Sequence, residues 1–273
     1  MHNILIITSC TGEKKFHPDN QLVQTDFEAP PILSSREKEL SEYSLPAGEM
    51  YTGLQHLRLM EGIKSLRDKF GNSVVDLFIV SAGYGLIPEN KMVVPYEVTF
   101  NTMNGTGILA WSKKLHIHQD LNQLIAQYDL VIFLLGDKYL KAIELPFESA
   151  GEDQKLLFLA SGMSKKMIPA QAPYYFAEVG QEDATSFSYG LVGLKGYLFK
   201  LLSQEIIKNG VALFDQIYAD PATLMTVLEK YRKKKTPSKE QLLLFDLGQP
   251  DTNKKKKSHQ PKKGLDIIIS PSE

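Results

Sequence analysis

The 273-residue chain has little or none of several residue types and patterns, and each shortage narrows its class. It has one cysteine, Cys10, so no disulfide can form within a molecule, which fits a reducing compartment. No cluster of cysteine and histidine exists to build a zinc site, and no metal is expected. His116 and His118 stand two apart in a helical stretch, so they face different directions and read as ordinary exposed histidines. The apolar run Ile4–Ile7 is far shorter than the ~20 residues of a membrane span, and Met1-His2-Asn3 gives it no basic lead-in. Together these absences predict a cytoplasmic protein with no membrane partner. Gly83-Tyr84-Gly85 lacks the Gly-Lys-Ser/Thr of a phosphate loop and the third glycine and downstream acid of a dinucleotide fingerprint. No cofactor is therefore expected.

What is present is globular composition, 43% hydrophobic and 23% charged. The net charge of −1 hides an asymmetry: from Lys233 to Glu273 ten lysines face five acids, leaving the remainder at −6. Pro250, Pro261 and the run Lys254–Lys257 are incompatible with a packed core. The expected organisation is one domain over 1–232 and a flexible lysine-rich tail over 233–273. Such a tail suits a polyanion, and DNA is the expected partner.

Within the domain, Ile4–Thr8, Val74–Val80, Leu130–Leu135 and Leu156–Ala160 read as buried strands. Helical spacing covers Gly53–Lys69, Ile108–Ala126, Lys138–Ile143, Leu194–Lys208 and Val211–Tyr231. Residues 16–45, with Pro30-Pro31, read as a long excursion carrying a short helix around Ser35–Tyr43. The alternation predicts an α/β fold, a mostly parallel sheet flanked by helices in a Rossmann-like arrangement.

In such sheets ligands bind outside the carboxyl ends of the strands. Four predicted strands end in small or polar residues: Ser9-Cys10-Thr11, Ser81-Ala82-Gly83, Gly136-Asp137 and Ser161-Gly162. The expected binding set is Ser9, Cys10, Thr11, Lys14, Ser81, Gly83, Gly85, Pro95 and Gly136, joined by Tyr51, Tyr84, Tyr96 and Tyr139. The aromatic faces of these tyrosines are expected to stack on a nucleobase or nucleotide. Lys14 and Lys15 near Cys10 would favour its thiolate, but no histidine base is evident, so Cys10 reads as lining a site. Glu97, beside Tyr96, is the candidate carboxylate for chemistry on an N-glycosidic bond.

In the tail, Gln241-Leu242-Leu243-Leu244-Phe245 resembles the peptide by which bacterial replication and repair proteins dock into the sliding clamp, with Gln241, Leu242, Leu244 and Phe245 as its anchors. Several segments of the body together resemble another family. Ser81-Ala82-Gly83-Tyr84-Gly85-Leu86-Ile87 followed by Val94-Pro95-Tyr96 is similar to the signature of the peroxide-stress YaaA proteins. Ser9-Cys10-Thr11-Gly12-Glu13-Lys14, Pro46-Ala47-Gly48-Glu49-Met50-Tyr51-Thr52-Gly53, Gly136-Asp137-Lys138-Tyr139 and the segment Ser188–Gly196 resemble an uncharacterised group related to them. That resemblance implies a link to DNA or nucleobases and a role in repair or stress. It leaves open whether the protein is an enzyme acting on a base, a non-catalytic adaptor between DNA and clamp, or an enzyme of free nucleotides.

Overall fold

A computed structural model describes residues 2–233. The expected tail, with Gln241, Leu242, Leu244, Phe245 and all but the first of its lysines, lies outside the described residues.

The centre of the fold is β1 (Ile4–Ser9), whose β-branched residues are buried on both faces. It pairs in parallel with β2 (Asp76–Ser81), in the register Leu5 to Asp76, and β3 (Gly85–Pro88) follows antiparallel on the far side of β2. On its other side β1 pairs in parallel with β4 (Leu130–Leu134), in the register Ile4 to Leu130. β5 (Lys155–Ala160) and β6 (Tyr174–Glu178) extend that side in parallel. The sheet order is β6-β5-β4-β1-β2-β3.

The helices of more than one turn are α1 (Pro30–Glu39), α2 (Leu54–Phe70), α3 (Gly105–Lys114), α4 (Ile117–Ile125), α5 (Asp137–Ala142), α6 (Gln181–Ser186), α7 (Leu194–Asn209), α8 (Ala212–Ala219) and α9 (Thr223–Leu228), with a single turn at Ala47–Met50. Alternate residues of the strands serve opposite layers, because side chains alternate across a sheet. Ile4, Ile6 and Ile132 pack with α2, α7, α8 and α9, whereas Leu5, Ile7, Val131 and Phe133 pack with α3, α4 and α5.

The α/β expectation holds, with a sheet of six strands rather than four. β3 carries Gly85 at one end and Pro88 at the other and reads as a turn. β6 is a half-exposed edge strand whose short run, Tyr174–Ala177, lacks the β-branched aliphatic residues that mark the buried strands. The predicted helix Ile108–Ala126 is broken in two by His116, which stands at the left-handed φ of 54°. The predicted helix Val211–Tyr231 is interrupted at Asp220-Pro221. Pro30 and Pro31 lie in the first turn of α1, where a missing N–H costs nothing, so the short helix starts earlier than its spacing suggests.

Residues 16–45 fold back over the body. Leu22–Val23 pairs with Tyr96–Glu97, and Leu45–Pro46 pairs with Met92–Val93. Between them Phe27 lies edge-on to Tyr84 and Tyr96, with ring centroids 5.1 and 5.8 Å away.

A cleft at the carboxyl edge of the sheet

The five parallel strands, numbered in chain order, lie in the sequence 2-1-3-4-5. Connections from β1 run to one side and those reaching β4 run to the other, so the crevice between their carboxyl ends is the switch point of the sheet. A cavity of about 510 Å³ opens there. Its walls are the loop after β1 (Ser9–Glu13), the start of α2 (Gly53–Gln55), Thr99, Asn101, Gly136, Tyr139, Leu191, Val192 and Lys195. A second cavity of about 510 Å³ continues along the edge toward β5 and β6, past Asp137, Lys138, Ser161, Met163 and Gln181. Asn101, Gly136, Leu191 and Lys195 line both, so the two are lobes of one cleft.

Each wall has a local cause. Gln55 Nε2 donates to the Leu134 carbonyl at 2.8 Å, tying the start of α2 to the end of β4. Thr11 Oγ1 accepts from Gly53 N–H at 3.2 Å, joining the β1 loop to the same helix. α2 and α7 approach so closely that a Cβ on Gly196 would lie 1.9 Å from the Gln55 carbonyl oxygen. Arg58 Nε donates to Tyr189 OH at 3.0 Å and so fixes the loop that carries Leu191 and Val192. The lips are apolar and open: Leu54 is 57% exposed, Leu191 47% and Val192 82%. Neither α2 nor α7 has a side-chain cap or an acid in its first turn, so their N-terminal dipoles at the cleft are not neutralised.

Beneath the first lobe lies a buried polar network. Cys10 Sγ is 3.1 Å from Tyr139 OH and accepts from Ala82 N–H at 3.4 Å. Ser81 Oγ accepts from the N–H groups of Gly83 and Tyr84, at 3.2 and 2.9 Å, and is 2.8 Å from Tyr96 OH. With two N–H groups on its oxygen, Ser81 has its own proton left for Tyr96. Tyr51 OH is 2.9 Å from Tyr96 OH. Burial raises the pKa of Tyr51, Tyr96 and Tyr139 well above that of an exposed phenol, so all three are neutral. Lys14 is buried with no carboxylate on its ammonium. Nζ donates to the carbonyls of Thr11 and Gly12 at 3.3 and 3.2 Å and sits 4.2 Å from the Tyr96 ring centroid. Desolvation lowers its pKa.

The sequence-predicted residues therefore divide. Ser9, Cys10, Thr11, Gly136 and Tyr139 line the cleft. Lys14, Tyr51, Ser81 and Tyr96 lie behind its wall, where Tyr51 and Tyr96 pack against each other and have no face open to a base. Gly83, Tyr84 and Gly85 form the tight turn between β2 and β3, and a Cβ at Gly83 would meet Phe27 at 2.7 Å. The close approach expected of a ligand at that turn is made by the chain's own excursion. Tyr84 gives its hydroxyl oxygen to Val94 N–H at 3.3 Å. Pro95 is buried, its carbonyl accepting from Leu22 N–H at 3.0 Å. Glu97 is exposed, lines neither lobe and lies 3.5 Å from Gln21 Nε2. Exposed apolar surface at the cleft comes instead from Leu54, Leu191 and Val192, which only the tertiary structure brings together.

The expected binding set left out Lys195 and Asp137, although the strand end Gly136-Asp137 and the segment Ser188–Gly196 were both singled out. Lys195 forms no hydrogen bond or ion pair with the described residues, and desolvation lowers its pKa against the opposing pull of Asp137. The Asp137 carboxylate accepts from Ser161 Oγ at 2.8 Å and from Ser164 Oγ. The glycine spacing around Lys195 (Gly190, Gly193, Gly196) is the signal that could have located it. His118 sits half-buried, Nδ1 3.0 Å from the Ile143 carbonyl and Nε2 3.3 Å from Glu148, rather than on an open helix face. Among the described residues no three His, Cys, Asp or Glu side chains are grouped to hold a metal ion.

A family model matches residues 32–168, half of the chain, taking in β2, β3, β4 and β5. The chain belongs to DUF6884, a family of unknown function. The match to DUF6884 includes Gly136, Asp137 and Tyr139 of the cleft, while the β1 loop and Lys195 lie outside it. No curated protein matches the chain. No helix among the described residues is long and apolar enough to cross a membrane.

Proposed function

We propose that this DUF6884 protein binds a nucleobase or nucleotide in the cleft between the carboxyl ends of β1 and β4. The observation that carries this reading is the position of the cleft at the switch point of a doubly wound sheet, where such folds place their ligands. Its volume is within the range of small-molecule sites. Leu54, Leu191 and Val192 offer a planar ring an apolar bed, and Thr99, Asn101 and the β1 loop offer hydrogen bonds to its edge.

The reading extends to a DNA-associated, cytoplasmic protein of repair or stress response, akin to the YaaA proteins. Its support is the set of body motifs, the tail lysines and the clamp-like Gln241–Phe245 segment. Glu97 is not carried forward as a catalytic carboxylate, because it stands away from both lobes. Binding, with no reaction assigned, is the function proposed.

The test is thermal unfolding of the full chain against a panel of nucleobases, nucleosides and nucleotides, since a ligand that binds only the folded state raises Tm. A rise in the wild type that is lost in Leu191→Asp, a change at an exposed lip, is the expected outcome. If no compound raises Tm at millimolar concentration, the reading fails. A second reading, a non-catalytic adaptor joining DNA to the sliding clamp, is favoured by the tail peptide alone. It requires that deleting residues 236–273 abolish clamp and DNA binding, whatever the cleft does.

A further inference from the structure

The two lobes of the cleft meet at Lys195, and among the described residues it has no hydrogen-bond or ion-pair partner to explain its place there. The other charged groups on the walls are accounted for. Asp137 is held by two serine hydroxyls. Lys138 Nζ donates to the Met103 carbonyl at 3.1 Å. Glu13 is exposed at the outer lip. Lys14, behind the wall, spends its ammonium on two loop carbonyls and the Tyr96 ring. Among the described residues Lys195 alone brings a charge to the junction with neither hydrogen bond nor ion pair, although it is partly buried there. A desolvated, unpaired ammonium costs free energy that an anion beside it would offset. The opposite charge that acts on it, Asp137, does so from beyond ion-pair distance.

We infer that Lys195 anchors an anionic group of the ligand at the junction of the lobes, so that the ligand is a phosphorylated nucleoside, with its base at the Leu54, Leu191 and Val192 lips and its phosphate in the second lobe. This rests on the nucleobase reading proposed above and names the ligand class for the same site.

Calorimetric titration of the full chain separates the two claims. The probes are the four ribonucleoside 5′-monophosphates and the four parent nucleosides, with wild type, Lys195→Met and Lys195→Arg. The expected result is one monophosphate bound about tenfold or more tighter than its nucleoside by wild type. Lys195→Met binds the two alike, and Lys195→Arg keeps a preference. Lys195→Met also unfolds at a temperature no lower than wild type, because it removes an unpaired charge. Lys195→Gln carries the same binding expectation should methionine be poorly accommodated. If nucleoside and monophosphate bind wild type equally, or Lys195→Met retains the preference, the anchor is overturned and the nucleobase reading stands. If none of the eight compounds binds, both fall together.

Discussion

The described glycine with the least room for a side chain gives the sharpest prediction. Gly196 in α7 faces the backbone of α2, and a methyl group there would sit 1.9 Å from the Gln55 carbonyl oxygen and 2.8 Å from its carbon. Backbone atoms in the first turn of a packed helix cannot rotate aside, so Gly196→Ala must push the two helices apart by more than 1 Å at their N-terminal ends. Overpacking by one carbon costs about 1–3 kcal/mol, and the rigid neighbour places this site near 3. Alanine recovers about 1 kcal/mol of helix propensity over glycine. The net loss is about 2 kcal/mol, or roughly 4–8 °C in Tm for a domain of this size. Gly12→Ala, with open space around its Cβ, is the control and should change little. Gly62→Ala, which meets the movable Ser203 hydroxyl at 2.7 Å, should fall between them. Urea denaturation followed by circular dichroism measures all three. If Gly196→Ala matches wild type within about 0.5 kcal/mol, the tight α2–α7 junction, and the cleft wall built on it, are wrongly placed.

Ser81→Ala leaves the buried N–H groups of Gly83 and Tyr84 and the Tyr96 hydroxyl short of a partner, and should cost roughly 2–3 kcal/mol in denaturant titrations. Lys195 has a folded-state pKa below its unfolded value of 10.5, so the unfolded chain binds the extra proton. The resulting penalty is fully present below the folded pKa and fades as pH rises toward 10.5. Lys195→Met should therefore gain on wild type at pH 7, with the gap closing by pH 10 in thermal scans. A gap that widens with pH would refute the assignment. The tail lysines predict that wild type binds labelled DNA with a steep salt dependence that a chain ending at Lys235 loses, read by fluorescence anisotropy.

The sequence by itself determined the α/β class and the four apolar strands, and its small strand-end residues marked the edge where the cleft opens. Those strands are buried on both faces and so are written as continuous apolar runs. Edge strands β3 and β6 are half-exposed and carry no long aliphatic run, and the break at His116 carries no glycine or proline to mark it. For the site, one part was legible and another was not. The small residues that end β1 and β4 line the cleft, because strand ends are local features. Of the tyrosines chosen for their stacking chemistry Tyr139 lines the cleft, whereas Tyr84 and Tyr96 turned inward, since Phe27, more than fifty residues before Tyr84 in the chain, folds over them. Which side of a tyrosine meets water depends on what packs against it, and no window of sequence contains that neighbour. The apolar lips and the unpaired Lys195 meet the β1 loop only because Gly196 lets α7 lie against α2, a contact between segments 140 residues apart that tertiary packing alone decides.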